Sequence, residues 1–270
     1  MKIGFIGIGN MGGAILSGYA ASANSSENKL AACDMNKKLC EKMKAKVEGL
    51  DFYDDAQSLC RDCQMIIIGV KPQVIEGVLE EIKPAYDSSK VLISMAAGVS
   101  IELLEAHLGN EGRIVRIMPN TPAMVGEAMV AVCRNKNVDD DSFSSVMKIF
   151  NSVGRAEEIE ENLMDCVIGV SGSSPAYTYM YMEALVQAAV ENGMPYDKAK
   201  IFAAQAVIGA AKMALESEDS LEQLRINVCS PNGTTIEAVN KLFENGFMDN
   251  VKEGFQAAVD RSIEMTEEKK

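Results

Sequence analysis

The sequence predicts an α/β protein in two parts: a doubly wound, mostly parallel sheet over residues 1–160, then an all-helical domain over residues 161–270. Three observations carry this. Short runs rich in β-branched residues alternate with amphipathic segments through the first part, the pattern of βαβ units covered on both faces. The turn Gly7-Ile8-Gly9-Asn10-Met11-Gly12 joins the first such run to the first helical segment. Beyond about residue 160, no strand-like run interrupts a series of segments rich in Ala, Met, Leu and Gln.

In chain order, residues 2–6 read as the first strand and 12–21 as the first helix. Residues 29–34 form the second strand, followed by a charged helix over 37–46. Strands follow at 65–70 and 91–96, with helical patterns over 73–82 and 101–108, and the strand series continues at 113–118 and 128–133. Helices are predicted over 175–192, 195–217, 234–245 and 247–266. The stretch 201–211 is apolar almost all round, so it must be buried on every side. Four or five helices alone offer a thin core. Packing against a second copy remedies this, so the second part is expected to form a homodimer, the alternative being a monomer whose own chain covers the helix.

Composition narrows the functional classes. The 39 acidic and 26 basic side chains give a net charge of −13, which disfavours binding to a nucleic-acid backbone or an anionic membrane surface. The longest purely apolar runs, such as 65–70, fall far short of the roughly 20 residues of a transmembrane helix. A strand begins at once, leaving no room for a signal peptide, and seven unevenly spaced cysteines fit free thiols in a reducing cytoplasm. Cys60 and Cys63 form a CxxC with no second pair and no histidine nearby, which reads as two structural thiols. The single histidine, His107, reads as a solvated helix-end side chain. A Ser-His-Asp triad or multi-histidine metal site is therefore not expected, and no metal is assigned.

The glycine turn has the context a dinucleotide requires. Gly7 permits the tight turn, Gly9 lets the backbone approach a pyrophosphate, Gly12 allows close helix–strand packing, and the helix start offers free N–H groups to the anion. Ile6, Gly7, Ile8, Gly9, Asn10, Met11 and Gly12 are accordingly assigned to the cofactor of a Rossmann-type domain. Asp34, 22 residues beyond Gly12, is placed to bind the adenosine ribose hydroxyls. Asp34 opposes a 2′-phosphate and favours NADH, whereas Lys37 and Lys38 would neutralise one, so the sequence leaves NADH and NADPH open. Val70, Lys71, Pro72 and Gln73 leave a strand end on the ligand side; Lys71 faces either cofactor or solvent. Ala96 and Ala97 leave the next strand with side chains small enough for a nicotinamide to approach the backbone.

Three later segments are more specific: Met118-Pro119-Asn120-Thr121-Pro122-Ala123-Met124-Val125-Gly126-Glu127, Ser171-Gly172-Ser173-Ser174-Pro175-Ala176-Tyr177, and Val228-Cys229-Ser230-Pro231-Asn232-Gly233-Thr234-Thr235-Ile236. With the glycine turn and Val70-Lys71-Pro72-Gln73, they closely resemble pyrroline-5-carboxylate reductases, from Ile3 to about Arg261. The resemblance implies the last step of proline biosynthesis, reduction of a cyclic imine acid by NADPH or NADH, by subunits paired through intertwined helical domains and often assembled into decamers. It implies that Ser230, Gly233, Thr234 and Thr235 hold the substrate carboxylate, that Thr235 hydrogen-bonds the imine nitrogen, and that Ser173 lies beside the substrate. Asn120, Glu161 and Asn227 fall to the cofactor. The residues themselves allow an anion site or an ordinary Ser/Thr helix cap at 233–235. Pro175 suits a first helical turn.

There are departures from the family pattern. Ser174 stands where many members have Gly. Asp55-Ala56 replaces an Asn near the adenosine ribose, which with Asp34 sets the usual NADPH preference in question. The chemistry asks little of the protein, since hydride attack on C=N needs alignment at about 3–3.5 Å and no covalent intermediate or metal. Two rival readings are a β-hydroxyacid dehydrogenase and a non-catalytic NAD(P)-binding sensor. The first needs a lysine on the helix at 175–192, which has none. The second has no use for the anion turn at 230–235.

Overall fold

The computed structural model describes residues 1–269; Lys270, the last residue of the expected helical domain, lies outside the described residues. The chain divides into two compact units, one holding residues 1–173 with the end of the last helix from Ala258, the other residues 174–257.

The first unit is built on eight strands: β1 (Lys2–Ile6), β2 (Lys29–Cys33), β3 (Asp51–Phe52), β4 (Met65–Ile68), β5 (Val91–Ser94), β6 (Arg113–Met118), β7 (Ala128–Arg134) and β8 (Gly154–Glu158). Their spatial order is β3-β2-β1-β4-β5-β6-β7-β8, every pairing parallel except β6 with β7. The chain moves outward from β1 to β2 and β3, then returns to β4 on the other side of β1. That reversal places a crevice at the carboxyl ends of β1 and β4, where open α/β sheets bind ligands.

Both faces are buried, which is why the strands read as continuous apolar runs. Alternate residues point to opposite faces. Phe5, Ile67, Ile93 and Val115 form one cross-strand row, each 0% exposed, against α1 (Asn10–Ala21), α2 (Lys37–Lys46) and α6 (Asp140–Asn151). The opposite face packs on α3 (Ala56–Asp62), α4 (Ile75–Ile82) and α5 (Ile101–Leu108) through Leu59, Leu79 and Leu104. Ile67→Ala in this centre would cost about 2–5 kcal/mol. One row on that second face changes character as it nears the strand ends: Ile6 and Ile68 are followed by Ser94, Arg116 and Cys133.

Several elements carry no strong pattern in the sequence. β3 is two residues long, and β8 is a polar edge strand whose Arg155 pairs with Glu157. Short α3 and α6 are started by Asp55 and Asp139, whose carboxylates accept from Ser58 N and Ser142 N. The α7 segment (Met164–Val167) runs into a π-helical turn, Ile168–Gly172, at the end of this unit.

The second unit is helical: α8 (Ser174–Glu191), α9 (Tyr196–Glu216), α10 (Leu221–Val228), α11 (Thr234–Glu244) and the first part of α12 (Phe247–Glu267). α8 and α9 pack through Val186, Ala199 and Ala203, the only buried cluster of this unit among the described residues. The expected all-round burial at 201–211 is absent within a single chain, for Ile201 and Phe202 stay 67% and 68% exposed. No helix of the described residues is long and apolar enough to cross a membrane. The end of α12 returns to the first unit: Ser262 Oγ donates to Asp165 at 2.5 Å, and Lys269 Nζ to the Pro72 carbonyl at 2.6 Å.

Candidate active site

In the first unit, β1 runs into a loop whose backbone is packed too tightly for side chains. Gly7 has φ +87°, and a Cβ on Gly12 would collide with the Gly7 carbonyl oxygen. Gly9 differs, with nothing within 4 Å of where its Cβ would be, so its open side leaves the backbone free to approach a ligand. Gly9 is also the residue before α1 and supplies no side-chain cap, leaving the first N–H groups of α1 to an anion. A cradle that a Cβ would fill, followed by an uncapped helix start, fits a pyrophosphate.

The loop borders a cleft of about 620 Å³, lined by Ile6, Gly7, Gly9, Asp34, Val70 and Lys71 among others. These are sequence-assigned cofactor residues, brought together here. Asp34 follows β2 and is fixed by two backbone donors, Ile8 N to Oδ2 and Asn36 N to Oδ1, each at 2.8 Å. Lys37 points its ammonium to Asp54 at 3.2 Å in an exposed pair. Pro72 and Gln73 open a short 3-10 turn leading into α4. Sequence reasoning missed Met35, Asp54 and Glu81, which also line the cleft; they stand in connections and on a helix where no motif marks them.

Further along the sheet, Ala96 is buried and Ala97 half-buried after β5. Asn120 is 8% exposed with its amide committed to the protein, Oδ1 accepting from Met129 N at 2.9 Å and Nδ2 donating to the Ser171 carbonyl at 3.0 Å. It pins the loop after β6 to the π-helical turn. Glu161 is likewise committed: Oε1 accepts from Ile101 N at 2.7 Å, at the start of α5, and from Arg116 Nη1 at 3.0 Å. Arg116, which the sequence did not single out, is 4% exposed, and its Nε and Nη2 have no hydrogen-bond partner. Only its row neighbours Ser94 and Cys133, on adjacent strands, betray it. Ser173 is half-buried at the end of the π-helical turn, its N–H donating to the Ile168 carbonyl at 2.7 Å.

In the second unit, α11 opens on Gly233. A Cβ there would strike Ser230 Oγ, so the serine hydroxyl sits against the helix entrance. Asn232 has φ +58°, the one non-glycine residue of positive φ among the described residues, and Asn tolerates that left-handed turn. No side chain caps α11, in contrast to α2, α5, α6 and α10, each capped by its own Asn, Ser or Asp. Ser230, Gly233, Thr234 and Thr235 therefore surround a set of unclaimed N–H donors, and Thr235 is half-buried. Asn227, on α10, is hydrogen-bonded to Gln223 and Asp219. α8 contains no lysine.

The remaining titratable groups play structural parts. Burial pushes the Cys33 and Cys60 thiols up to about 11 and those of Cys63 and Cys133 to about 12, so they are inert near neutral pH. His107 is not a free helix-end side chain: Nδ1 lies 2.9 Å from Glu80 Oε1, joining α5 to α4, and this contact holds the Glu80 carboxyl below its usual range. No cluster of metal-ligating side chains occurs among the described residues.

Residues 161–265 match the family model described as pyrroline-5-carboxylate reductase dimerisation, and residues 2–98 the model described as NADP oxidoreductase coenzyme F420-dependent. The chain is 41% identical over 267 residues to the pyrroline-5-carboxylate reductase of Escherichia coli (strain K12), covering 98% of each. It superimposes on a pyrroline-5-carboxylate reductase from Coxiella burnetii with a TM-score of 0.90 at 34% identity, and on the NADP-bound Plasmodium falciparum pyrroline carboxylate reductase with 0.87 at 36%, covering 98% of every chain. Full-length similarity at this level, over a glycine-cradled cleft and an uncapped anion turn, assigns the chain to the pyrroline-5-carboxylate reductase family.

Proposed function

We infer that this protein reduces the C=N bond of 1-pyrroline-5-carboxylate with NAD(P)H to give L-proline, the last step of proline biosynthesis. The observation that carries this reading is the uncapped start of α11 behind Ser230, in a chain 41% identical to a pyrroline-5-carboxylate reductase along its whole length.

The dinucleotide-binding part is taken as residues 1–160. Gly7, Gly9 and Gly12 hold the pyrophosphate against the start of α1, Asp34 takes the ribose hydroxyls, and Ala96 and Ala97 leave room for the nicotinamide. The reduced nicotinamide supplies a hydride when bound. In the helical part, residues 161–270, the backbone N–H groups of Thr234 and Thr235 and the Ser230 hydroxyl bind the substrate carboxylate and so orient the ring. The Thr235 hydroxyl donates to the lone pair of the neutral imine nitrogen, and a proton relayed from solvent through that hydroxyl converts it to the iminium before hydride adds at carbon. The iminium carbon is already electrophilic, so orientation and a hydroxyl donor meet the demands of the step. Asn120 and Glu161 serve the cofactor through the loops they pin.

Two copies pair through the helical part, which supports the exposed Ile201, Phe202 and Leu215 with a partner surface. Assembly of dimers into a decamer and residence in the cytoplasm belong to the same reading; the seven free cysteines favour a reducing compartment. The test is oxidation of NADH and of NADPH by the purified protein with pyrroline-5-carboxylate, with proline measured as product. Stoichiometric proline supports the assignment. A folded protein that binds either dinucleotide yet forms no proline overturns it.

A further inference from the structure

The adenosine end of the cleft has an electrostatic design that bears on which dinucleotide it takes, given the glycine-loop reading above. Asp34 cannot turn away from a ligand without leaving the N–H of Ile8, itself 2% exposed, unpaired. Across the cleft, carboxylates already hold donors at the start of α3. Asp55 occupies Ser58 N and Oγ at 2.6 and 3.0 Å, and Glu81 Oε1 accepts from Ala56 N at 2.7 Å. Asp54 completes a wall of four carboxylates. Lys71 lines the cleft, and the Lys37 ammonium faces Asp54 at 3.2 Å. That exposed pair is weak by itself. What decides is the surplus of fixed negative charge where a dianionic 2′-phosphate would have to sit.

We propose that this chain discriminates against the 2′-phosphate and uses NADH in preference to NADPH, with Asp34 as the specificity-determining residue. Hydroxyls of an unmodified ribose suit the same wall, because the carboxylate oxygens of Asp34 retain lone pairs to accept from them.

The test uses the full-length protein and calorimetric titration with ADP-ribose and with its 2′-phosphorylated form, alongside kcat/KM for NADH and NADPH with pyrroline-5-carboxylate. ADP-ribose should bind at least about tenfold tighter than the phosphorylated probe, with kcat/KM for NADH ahead by a similar factor. Asp34→Asn keeps an oxygen for one N–H and removes the charge; it should bring the binding ratio down by about tenfold. Asp54→Ala leaves Ile8 N undisturbed and releases Lys37, so it should lower the ratio by about threefold or more through tighter binding of the phosphorylated probe. Equal or tighter binding of that probe by the native protein overturns the proposal, as does an unchanged ratio in a folded Asp34→Asn protein. If neither probe binds, the glycine-loop reading falls and takes the proposal with it. If the binding ratio holds but neither dinucleotide yields proline, the preference stands and the assigned reaction falls.

Discussion

Replacing Glu161 by Ala removes the only hydrogen-bonded counter-ion, among the described residues, of a buried guanidinium. Arg116 is 4% exposed and meets Glu161 at 3.0 Å, with Nε and Nη2 unpartnered. Breaking a buried pair from one side costs about 3–5 kcal/mol, because the remaining charge is left uncompensated. The Glu161 side chain is 35% exposed, so water partly takes its place and the lower end of the range applies. Loss of the acceptor for Ile101 N at the start of α5 adds about 1 kcal/mol. The expected total, about 4 kcal/mol, is a large share of the roughly 5–15 kcal/mol that holds a domain folded. At about 2–4 °C per kcal/mol it lowers Tm by roughly 8–16 °C. Arg116→Met removes the buried charge together with its unpaired donors and leaves a Glu161 carboxylate that water reaches, so it should cost much less than Glu161→Ala. In that background Glu161→Ala should cost only about 1 kcal/mol, a coupling of about 3 kcal/mol in the double-mutant cycle. Thermal unfolding of the four proteins at one fixed concentration measures it. Equal costs in the two backgrounds would refute the claim that Glu161 acts by neutralising Arg116.

Thr235→Ala should lower kcat/KM by about 10²-fold while dinucleotide binding is kept, and an unchanged value removes the hydroxyl from the mechanism. Gly98 has φ +68° and a Cβ there would lie 3.0 Å from Met265 Cβ, whereas Gly49 has φ +73° with nothing within 4 Å. Gly98→Ala should therefore destabilise by more than the roughly 1 kcal/mol expected of Gly49→Ala, and equal melting temperatures would mean that α12 does not press on the Gly98 turn. The four buried thiols have folded pKa values of about 11 to 12, above their ordinary 9.0, so the folded state holds protons that the unfolded chain releases. Their contribution is complete below pH 9 and is lost as pH rises through 11 to 12, which a denaturant series across alkaline pH will show as a steep loss; a flat profile would count against their burial. Net charge of −13 repels anionic ligands, so raising ionic strength from about 10 to 150 mM should leave KM unchanged or lower it, while a several-fold rise would mean that cationic side chains dominate binding.

The sheet was legible wherever burial on both faces wrote itself as an apolar run, as in Met65-Ile66-Ile67-Ile68. The antiparallel turn from β6 to β7 was not, because strand direction depends on what the loop at 120–127 does, and Asn120 fixes that loop through contacts 9 and 51 residues away. Edge strand β8 escaped notice because its outward residues are charged. The glycine loop was readable from its spacing and its place between a strand and a helix: Gly7 and Gly12 answer local steric demands, and Gly9 leaves an open side. The carboxylate wall was not: Asp34, Asp54, Asp55 and Glu81 are separated by up to 47 residues and meet only because β2, α3 and α4 crowd one strand end. Arg116 was invisible for the same reason, as nothing in the sequence tells which arginine of β6 is buried; Arg113, three residues away and so on the opposite face, stays partly exposed beside Asp139.

A chain with one histidine and no metal-ligating cluster among its described residues can still manage a redox step, because what it must recognise is anionic and what it must supply is position. In the function proposed above, backbone N–H groups do this at two places that share a construction: a glycine where α2, α5, α6 and α10 carry a capping side chain, followed by a helix whose first donors stay unclaimed. Gly9 and Gly233 are thus not interchangeable with the capping residues Asn36, Ser100, Asp139 and Ser220 that start α2, α5, α6 and α10. Filling either position with a capping side chain would improve the helix by the usual rule and remove the donors from the ligand. Against a net charge of −13, such short-range donors hold an anion where long-range attraction is absent, and the carboxylates left near them then act as filters on which anion is accepted.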